Sequence, residues 1–444
     1  MNKILFRADS SSVIGTGHIM RDLVLASKYK DANIVFAVQD LNGNINHKIV
    51  EAGYKIEILS SNDIEELDKL IKKLNIDMIV IDHYGIDETY EKQLKIKNST
   101  LKILSFDDTY EKHHCDILLN HNISADERRY KDLVPTACEL RCGANYTLLR
   151  EEFYKEKAIK REKVYDVFIA MGGADTQNLN IQLLELIPNY FKIAVVTTTA
   201  NKNLEALKAY TENQESIDLH INSTQIAKLM NESKFAIVTP SVTVNEVYFM
   251  ELPFLAIKTA ENQEDIFKYL LNNGYKVVDS FEKDKIEKIS VELINFVDLS
   301  YAEKVEILSW RNHSSIRKWM FDNKPISLGN HISYIDSLKE KKDRVYFVVK
   351  QYGQGVGIID FTNIDLNNLE AEIGLYAKPM LKGVGNLLMR NILEYGFNEL
   401  KLKKLVATVF ENNFSAIRLY EKFNFKQVDK QDSLIVMERI DENR

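Results

Sequence analysis

The sequence predicts a multidomain α/β protein with two parallel sheets covered by helices, followed by a smaller mixed α+β unit. Three observations predict this class. The chain has 444 residues, which is too long for one ordinary hydrophobic core. Short β-branched runs alternate with longer amphipathic segments in the first two thirds, as expected for βαβ units. Past "GYKVVD" that alternation stops, and both tryptophans of the chain follow.

The first predicted unit, residues 1–150, is a Rossmann-like half. Helical segments such as "DIEELDKLIKKLN" separate its strand candidates, which are "KILFRAD", "NIVFAVQ", "YKIEILS", "DMIVIDH" and "LKILSFDD". Because a helix follows each strand, the strands should run parallel. Ligands of such sheets bind at the carboxyl ends of the strands, where the strand-to-helix loops meet.

The second half, residues 151–282, is joined to the first through "LLREEFYKEKAIKREK". Its strand candidates are "YDVFIAMGG", "KIAVVTTT", "SIDLHI", "KFAIVTPS" and "PFLAIKTA". The charged stretch 283–304 is predicted to be a helical linker. Residues 305–444 should form a small, separate α+β unit with the strands "RVYFVVKQ", "GVGIIDFTNID", "EAEIGLYAKP" and "KKLVATVFE" and with helices after Gly385 and after Asn413.

Composition and charge limit the partners. The formal net charge is −7, which disfavours binding to the phosphate backbone of nucleic acids. No run approaches the roughly 18 apolar residues of a membrane helix, so no membrane partner is expected. The N-terminus lacks the pattern of a secretory signal, which predicts a cytoplasmic protein. Nothing in the sequence indicates the oligomeric state.

The cysteines raise the alternative of a zinc site. Cys115, Cys138 and Cys142 lie near His113 and His114 in the sequence. They are odd in number and lack the paired C-x-x-C spacing of structural zinc sites, so no metal is expected.

The stretch "GTGHIM" marks the first candidate site. Gly15 and Gly17 remove side chains where a ligand could approach, and a helix starting near His18 offers free amides to an anion. The positive end of the helix dipole favours a neutral imidazole, which can act as a base. Arg21, one turn further on, could meet a phosphate or a carboxylate. The alternative is that the two glycines only form a helix entrance and that His18 is a cap.

Other polar residues follow neighbouring strands of the same half. Arg7 and Asp9 end the first strand, and the later loops carry "DHYGID" and "FDDTYEKHHCD". Because these loops should meet at one edge of the sheet, they predict a substrate-binding site there.

Six motifs, in order and with similar spacing, resemble the UDP-sugar hydrolases of pseudaminic acid biosynthesis. They are "RADSSSVIGTGHIMR", "VIDHYGID", "SFDDTYEKHHCDILLNHN", "GANYTLLREEF", "AMGGADTQN" and "TAENQ", and the resemblance covers about residues 1–280. It implies a glycosyltransferase-B-like fold of two Rossmann-type halves. It also implies metal-free cleavage of UDP from UDP-2,4-diacetamido-2,4,6-trideoxy-β-L-altropyranose.

The resemblance assigns roles to residues of both halves. His18 would be the general base that activates water, and Tyr84 and Asn262 would contact the sugar or the phosphate. His83 departs from the family pattern, and for Tyr84 alone a packed aromatic ring would be the simpler reading. In the second half, Gly172 and Gly173 precede a helix and could hold the diphosphate with their amides.

Glu246 lies about one turn inside the helix of "PSVTVNEVYFMELP". In UDP-binding glycosyltransferase-B enzymes, a similarly placed glutamate accepts hydrogen bonds from the ribose hydroxyls. The resemblance therefore implies that Glu246 binds the ribose, and the alternative is a solvated helix residue.

The last unit resembles the Gcn5-related N-acetyltransferases through "EIGLYAKPMLKGVGNLLMRN" and "VFENNFSAIRLYEKFNFKQV". The resemblance implies that acetyl-CoA is the co-substrate and that Tyr420 protonates the departing thiolate. Met380 and Asn424 depart from the family pattern. Asn424 replaces a glycine, and asparagine tolerates the left-handed conformation better than most residues. The residues implied to bind the cofactor are Lys382, Gly383, Val384, Gly385, Asn386 and Asn413.

"LSWRNHSSIRKWM" and "ISLGNHISYIDSL" resemble, in particular, the acetyltransferases that modify the 4-amino group of UDP-4-amino-4,6-dideoxy-N-acetyl-β-L-altrosamine. Arg311 could contact the nucleotide sugar, while Trp310 and Trp319 could contact it or be structural. Glu411 is a candidate for the general base.

The sequence thus predicts a bifunctional enzyme that acetylates a UDP-amino-sugar and then hydrolyses the resulting UDP-diacetamido-sugar. One alternative is that the first two halves form a glycosyltransferase, since the same fold binds UDP-sugars for both purposes. The other is a nucleotide-sugar-binding or regulatory protein without turnover.

Overall fold

The computed structural model describes residues 2–441 and contains three sheets. The first sheet is entirely parallel, in the order β3-β2-β1-β4-β5-β6-β7. Its strands are β1 Lys3–Ala8, β2 Asn33–Gln39, β3 Lys55–Leu59, β4 Met78–Asp82, β5 Lys102–Phe106, β6 Ile117–Asn120 and β7 Glu139–Cys142. The helices of this half are α1 Gly17–Lys28, α2 Asn46–Glu51, α3 Ile64–Leu74 and α4 Glu88–Lys97. The central strands are apolar because both faces of the sheet are covered.

The second sheet is also parallel, in the order β10-β9-β8-β11-β12-β13. Its strands are β8 Tyr165–Ala170, β9 Ile193–Thr197, β10 Ile217–Ile221, β11 Ser233–Val238, β12 Phe254–Ile257 and β13 Lys276–Val278. Its helices are α5 Glu151–Lys157, α6 Leu179–Leu186, α7 Leu204–Thr211, α8 Ile226–Asn231, α9 Val242–Phe249, α10 Glu264–Asn272 and α11 Lys283–Ile289. In both parallel sheets the chain reverses its direction of winding at the first strand, which confirms the prediction of two Rossmann-type halves.

The third sheet has the order β14-β15-β16-β17-β18-β20-β19 and is antiparallel except between β17 and β18. Its strands are β14 Val291–Asn295, β15 Val345–Gln351, β16 Gln354–Asp365, β17 Glu370–Ala377, β18 Lys404–Phe410, β19 Lys426–Gln431 and β20 Leu434–Ile440. Its helices are α12 Tyr301–Asn312, α13 Ser314–Arg317, α14 Leu328–Ser337, α15 Gly385–Leu393 and α16 Phe414–Lys422. The mixed α+β prediction is confirmed, including the two helices that begin at Gly385 and just after Asn413.

The segment 283–304 differs from the predicted helical linker. Helix α11, a 3₁₀ turn at Phe296–Asp298 and the first turn of α12 are helical, but Val291–Asn295 forms the edge strand of the third sheet, antiparallel to β15. The sequence prediction missed this strand because "VELIN" is short and lies in a run of charged residues that otherwise favours a helix. Its backbone hydrogen bonds to β15 stabilise a strand that the local sequence alone does not favour.

The third unit packs directly against the second half, through the turn that joins β15 to β16. Tyr352 in this turn is fully buried, and its ring centroid lies 5.7 Å from that of Phe191 and 5.9 Å from that of Phe235. The Tyr190 hydroxyl donates to Gln351 Oε1 at 2.9 Å. One hydrophobic cluster therefore runs from the second sheet into the third.

This contact predicts a large stability effect. Replacing Tyr352 with alanine should lower the free energy of unfolding by about 3–5 kcal/mol, because it removes a buried aromatic ring and leaves a cavity. The matched control is Tyr301→Ala at an exposed position, which should change it by less than about 0.5 kcal/mol. Urea unfolding of the full chain measures both. Equal urea midpoints for the two variants would show that Tyr352 does not stabilise the contact between the third unit and the second half.

Candidate active sites

The loop between β1 and α1 folds back on itself. Ser11 and Gly15 exchange backbone hydrogen bonds of 2.9 and 3.3 Å, and Ser11 Oγ accepts from the amides of Val13 and Ile14. Gly15 has a φ of +86°, which is strained for residues with a side chain. Helix α1 then begins at Gly17. His18 therefore lies in the first turn of a helix, as predicted.

Asp82 orients the His18 ring. It ends β4 and lies beside Ala8 of β1 in the parallel register. His18 Nδ1 is 2.6 Å from Asp82 Oδ1, and both side chains are almost fully buried. Arg21 Nη2 lies 3.2 Å from the same nitrogen, but the carboxylate is closer and can only accept, so Nδ1 carries the proton that is shared with Asp82. Nε2 has no partner among residues 2–441, and its lone pair is therefore left free.

Arg21 and Asp108 extend this cluster. Arg21 donates to both oxygens of Asp82, at 2.5 and 2.6 Å, and to Asp108 at 3.1 Å. Burial alone would raise the pKa of Asp82, but Arg21 and the hydrogen bond from His18 hold that pKa well below its usual range. Asp82 is therefore ionised at neutral pH. The sequence left a phosphate and a carboxylate open as partners of Arg21, and its guanidinium here binds these two carboxylates. Substrate binding by Arg21 stays a prediction.

Tyr84 lies at the mouth of the cluster. Its ring meets the His18 ring edge-on with centroids 4.9 Å apart, and its hydroxyl donates to Asp108 Oδ1 at 3.1 Å. Partial burial and the Asp108 charge raise the pKa of Tyr84 to about 12, so the hydroxyl remains a donor at neutral pH. The side chain is 68% exposed. This exposure argues against the reading of Tyr84 as a packed aromatic ring.

Two further ionisable groups lie behind the cluster. Asp22 is fully buried with neither carboxyl oxygen hydrogen-bonded, and its burial and the Asp82 charge raise its pKa. Burial and the Arg21 charge lower the pKa of His121 to about 4. His121 is therefore neutral near pH 7, and burial favours the protonated form of Asp22. Arg21 pairs directly with Asp82 and Asp108.

Arg7 and Asp9 form a buried pair. The two guanidinium nitrogens of Arg7 each donate to one Asp9 oxygen at 2.8 Å, and the side chains are 0% and 1% exposed. His83 Nε2 also contacts Asp9 at 3.1 Å, and the Gly85 amide donates to His83 Nδ1. Substrate binding by Arg7 and Asp9 stays a prediction, since both side chains are buried against each other. They and His83 hold the strand ends together.

The second half places Gly172 and Gly173 in the loop after β8, Glu246 in α9 after β11, and Asn262 in a turn after β12. Gly172 has a φ of +79°, and neither its amide nor that of Gly173 donates to another described residue. Glu246 accepts from Arg150 at 3.3 Å, and burial raises its pKa to about 7 although Arg150 opposes the shift. It is largely buried and paired, which differs from a solvated helix residue.

Asn262 is exposed in a short 3₁₀ turn before α10. Its side chain makes no hydrogen bond with any residue from 2 to 441. Three residues later, Asp265 forms a 3.0 Å ion pair with Arg129 of the first half. This ion pair brings the turn of Asn262 close to the first half, although no described contact joins Asn262 to His18.

The cysteines and histidines that raised the alternative of a zinc site lie in other contacts. Cys115 and Cys138 have their sulfurs 3.7 Å apart, and His113 Nδ1 lies 2.9 Å from Glu91 Oε1. Between residues 2 and 441, no group of three or more His, Cys, Asp or Glu side chains is arranged to hold a metal ion.

None of the helices between residues 2 and 441 is long and apolar enough to cross a membrane.

The third unit contains a cavity of about 1120 Å³. Strands β17 and β18 pair only from Glu370 to Glu372 on β17 and then separate. The cavity extends along the separated part of β17 into the start of α15. Its lining includes Lys382, Gly383, Gly385, Asn386, Asn413 and Tyr420.

The glycines of this cavity have distinct structural roles. Gly383 has a φ of +83°, and Gly385 leaves room for Leu419, since a Cβ there would lie 3.0 Å from its Cδ2. Asn413 caps α16 through its side chain. Val384 is the N-cap of α15 and is buried, so it contributes packing and is not on the cavity wall.

Tyr420 reaches the cavity from α16. It is 6% exposed, and its hydroxyl has no partner in the described part of the chain. Burial, together with the charges of Asp360 and Glu372, raises the pKa of Tyr420. The hydroxyl is therefore protonated at neutral pH and able to donate.

Comparisons with known proteins identify both parts. The UDP-2,4-diacetamido-2,4,6-trideoxy-beta-L-altropyranose hydrolase of Campylobacter jejuni is 46% identical over 275 residues, which are 62% of this chain and 98% of that protein. The acetyltransferase PseH of Campylobacter jejuni is 40% identical over 140 residues, 32% of this chain and 87% of that protein. Residues 294–426 match the Acetyltransferase (GNAT) domain family. This chain belongs to both families.

A solved structure is also similar to the acetyltransferase part. The crystal structure of Campylobacter jejuni PseH in complex with acetyl coenzyme A is 34% identical, covers 34% of this chain and 98% of that chain, and has a TM-score of 0.29. The match to the GNAT family begins at residue 294, inside the strand β14 that replaces part of the predicted linker. By its two sequence relatives and its family match, the chain is a hydrolase fused to an N-acetyltransferase, and the prediction of a bifunctional enzyme is confirmed.

The acetyltransferase part refines several sequence predictions. Asn424 has a φ of 62°, so it does adopt the left-handed conformation expected at a position where the family has glycine. Trp310 is buried with its ring against Gly355, whereas Trp319 lines the cavity. Arg311 also lines the cavity, and one of its terminal nitrogens is buried without a partner.

Sequence analysis did not single out Asp82 and Asp108 of the hydrolase part or Asp360 of the acetyltransferase part. Asp82 and Asp108 lie within quoted loop motifs, directly at strand ends, and this position was the available signal. Asp360 had none, because it lies in the middle of a long strand.

Proposed function

We propose that the chain catalyses two consecutive steps. The acetyltransferase part transfers an acetyl group from acetyl-CoA to the 4-amino group of UDP-4-amino-4,6-dideoxy-N-acetyl-β-L-altrosamine. The hydrolase part then releases UDP from the resulting UDP-2,4-diacetamido-2,4,6-trideoxy-β-L-altropyranose. The observation that carries this proposal is the presence of both families on one chain. The sugar in the hydrolase relative's name carries two acetamido groups, and an N-acetyltransferase supplies such a group.

His18 is the general base of the hydrolysis. Its free Nε2 takes a proton from water, the oxygen forms a bond to the anomeric carbon, and the bond from that carbon to the UDP oxygen breaks. Asp82 acts as a positioning residue because it keeps the proton on Nδ1 and stabilises the imidazolium that forms. Tyr84, beside the ring, contacts the sugar or the phosphate.

The second half holds the nucleotide. The unpartnered amides of Gly172 and Gly173, before α6, bind the diphosphate. Glu246 accepts hydrogen bonds from the ribose hydroxyls, and Asn262 contacts the sugar or the phosphate. Gly15 and Gly17 allow the sugar diphosphate to approach the start of α1.

In the acetyltransferase part, the loop before α15 binds the pyrophosphate of acetyl-CoA. Lys382 contributes its charge, and the amides around Gly383 and Gly385 contribute donors. The carbonyl of the acetyl group then lies in the gap between β17 and β18, and Tyr420 returns a proton to the departing thiolate.

Three functional units follow from this assignment. Residues 1–150 and 151–282 form the two halves of the hydrolase, and residues 305–444 hold the acetyltransferase site. Because β14 and the Tyr352 contact join the last unit to the second half, a separate acetyltransferase fragment should begin before residue 291 and will expose the Tyr352 surface.

Product analysis tests the proposal. The purified full chain is incubated with the 4-amino UDP-sugar, with and without acetyl-CoA, and the products are identified by mass spectrometry. With acetyl-CoA we expect CoA, UDP and the free diacetamido sugar. Without it, the UDP-sugar should remain intact on the same timescale.

Two other results would overturn the proposal in different ways. Release of UDP only after addition of an acceptor sugar would make the first two halves a glycosyltransferase. Binding of the UDP-sugar without any turnover would make the chain a nucleotide-sugar-binding protein.

A further inference from the structure

Acetyl transfer to an amine requires a base. An ammonium group has no lone pair, so it must lose a proton before its nitrogen can attack a thioester carbonyl. The sequence candidate Glu411 is an unsuitable base, because it pairs with Lys430 at 2.7 Å and does not line the cavity.

Asp360 of β16 lies inside the cavity, opposite Tyr346 of β15 and Gly374 of β17. Its carboxylate rests directly on the Gly374 backbone. A Cβ at residue 374 would lie 2.4 Å from Asp360 Oδ2 and 2.8 Å from Oδ1, so any side chain there would displace the carboxylate. Glycine at position 374 therefore creates the space that the carboxylate occupies.

The Asp360 carboxylate has no protein partner. Within residues 2–441 it accepts no hydrogen bond and forms no ion pair, although a carboxylate normally finds both. The other two carboxylates of this wall already accept hydrogen bonds, Glu372 from Asn363 at 3.0 Å and Asp322 from the Lys324 amide at 3.0 Å. Asp360 is thus the acid side chain of the cavity wall that is free to meet a ligand.

The surroundings of Asp360 favour proton uptake. Burial, and then the negative charge of Glu372, raise the pKa of Asp360 to about 7. A carboxylate with this pKa can take up a proton near neutral pH and release it again. The ionisable groups that surround it are Tyr346 from β15, Glu372 and Tyr376 from β17, Tyr420 from α16 and Arg311 from α12.

We propose that Asp360 is the general base that deprotonates the amino group of the acetyl acceptor. This inference rests on the proposed acetyltransferase function. Tyr420 and Asp360 line the same cavity, so the acid and the base can act on the two sides of one tetrahedral intermediate.

The step balances as follows in atoms and protons. The ammonium gives one proton to Asp360, and the neutral nitrogen forms a C–N bond to the acetyl carbon. The C–S bond then breaks, and the CoA sulfur takes a proton from Tyr420. The nitrogen loses its second proton as the amide forms, which restores the proton of Tyr420. Asp360 releases its proton to solvent, so one proton is produced for each acetyl group transferred.

The test is the pH dependence of acetylation by the full chain with the 4-amino UDP-sugar. In the wild type, kcat should rise with pH through an apparent pKa near 7 and then level off. Asp360→Asn should lower kcat by about 10²-fold and remove this limb of the profile. Binding of acetyl-CoA, measured by calorimetry, should be retained and reports a folded cavity.

Two further variants sharpen the result. Glu372→Gln removes the neighbouring negative charge, so the apparent pKa should move downwards. If the substrate ammonium titrated instead of Asp360, Glu372→Gln would also lower the apparent pKa. In that case the rise of kcat with pH would persist in Asp360→Asn. Asp365 ends the same strand, and within residues 2–441 its side chain bonds only to Asn367 and Asn368. Asp365→Asn should therefore leave kcat and the profile unchanged.

The assignment is overturned if Asp360→Asn keeps the wild-type kcat and profile, or if it raises only KM. A wild-type chain that binds acetyl-CoA but transfers no acetyl group to the amino sugar would instead overturn the proposed function, and the role of Asp360 with it. Hydrolysis of the already acetylated UDP-sugar by the same preparation provides the internal control and should be unaffected by Asp360→Asn.

Discussion

Replacing His18 with asparagine should lower the kcat of UDP-sugar hydrolysis by about 10²–10⁴-fold. Asparagine keeps a polar side chain of similar reach in the first turn of α1, but its amide cannot take a proton from water. The glycines of the loop and the nucleotide site of the second half are unchanged, so binding of the UDP-sugar should be largely kept. The measurement is the initial rate of UDP release from the acetylated substrate, together with the dissociation constant of UDP.

The full chain provides a second readout for this variant. Acetylation occurs in a different domain and should continue at the wild-type rate, so the acetylated UDP-sugar should accumulate when acetyl-CoA is supplied. His47→Asn, at an exposed position on α2, is the matched control and should hydrolyse normally. Normal hydrolysis by His18→Asn, or a loss explained entirely by weaker binding, would restore the reading of His18 as a helix cap.

The sequence predicted the architecture well where local patterns decide it. The two parallel sheets follow from apolar runs that alternate with amphipathic helices, and α1 begins at Gly17, the second of the two glycines that signalled a helix entrance. The third sheet was predicted less completely. The strand Val291–Asn295 depends on backbone bonds to β15, which lies some fifty residues later in the chain and is not visible in a local window.

The site was predicted to the extent that it follows from strand ends. His18 and Tyr84 do lie close together, and polar residues do gather at the carboxyl edge of β1, β4 and β5. What the sequence could not give is the pairing of charges across that edge. Arg21 binds Asp82 and Asp108 because β4 and β5 are neighbours, whereas Arg7 forms its buried pair with Asp9 within one strand end.

The same limit applies to the acetyltransferase cavity. The glycines around residue 384 and Tyr420 belong to motifs with a fixed spacing, and all of them reach the cavity region. Asp360 belongs to no such motif. Its placement depends on the antiparallel register that sets it against Gly374, and register is a property of the assembled sheet.

The charge network makes Asp82 the second residue with a large expected effect on hydrolysis. Asp82→Asn should lower kcat by about 10²–10⁴-fold without a matching rise in KM. An asparagine amide can donate to His18 Nδ1, which would move the ring proton to Nε2, the nitrogen that must accept the proton of water. The bond of 2.6 Å between Asp82 and Nδ1 therefore decides which ring nitrogen is basic.

The ring tautomer itself distinguishes this role from a merely structural one. In nitrogen-15 spectra of histidine-labelled protein, with the His18 signals assigned by their loss in His18→Asn, the wild type should carry its proton on Nδ1 and Asp82→Asn should carry it on Nε2. Asp108→Asn is the matched control, since Asp108 contacts Arg21 and Tyr84 but not His18, and should keep the wild-type tautomer. Retained UDP binding excludes unfolding as the cause. An Asp82→Asn protein with wild-type kcat, or one that loses activity while the proton stays on Nδ1, would show that Asp82 does not act through the orientation of His18.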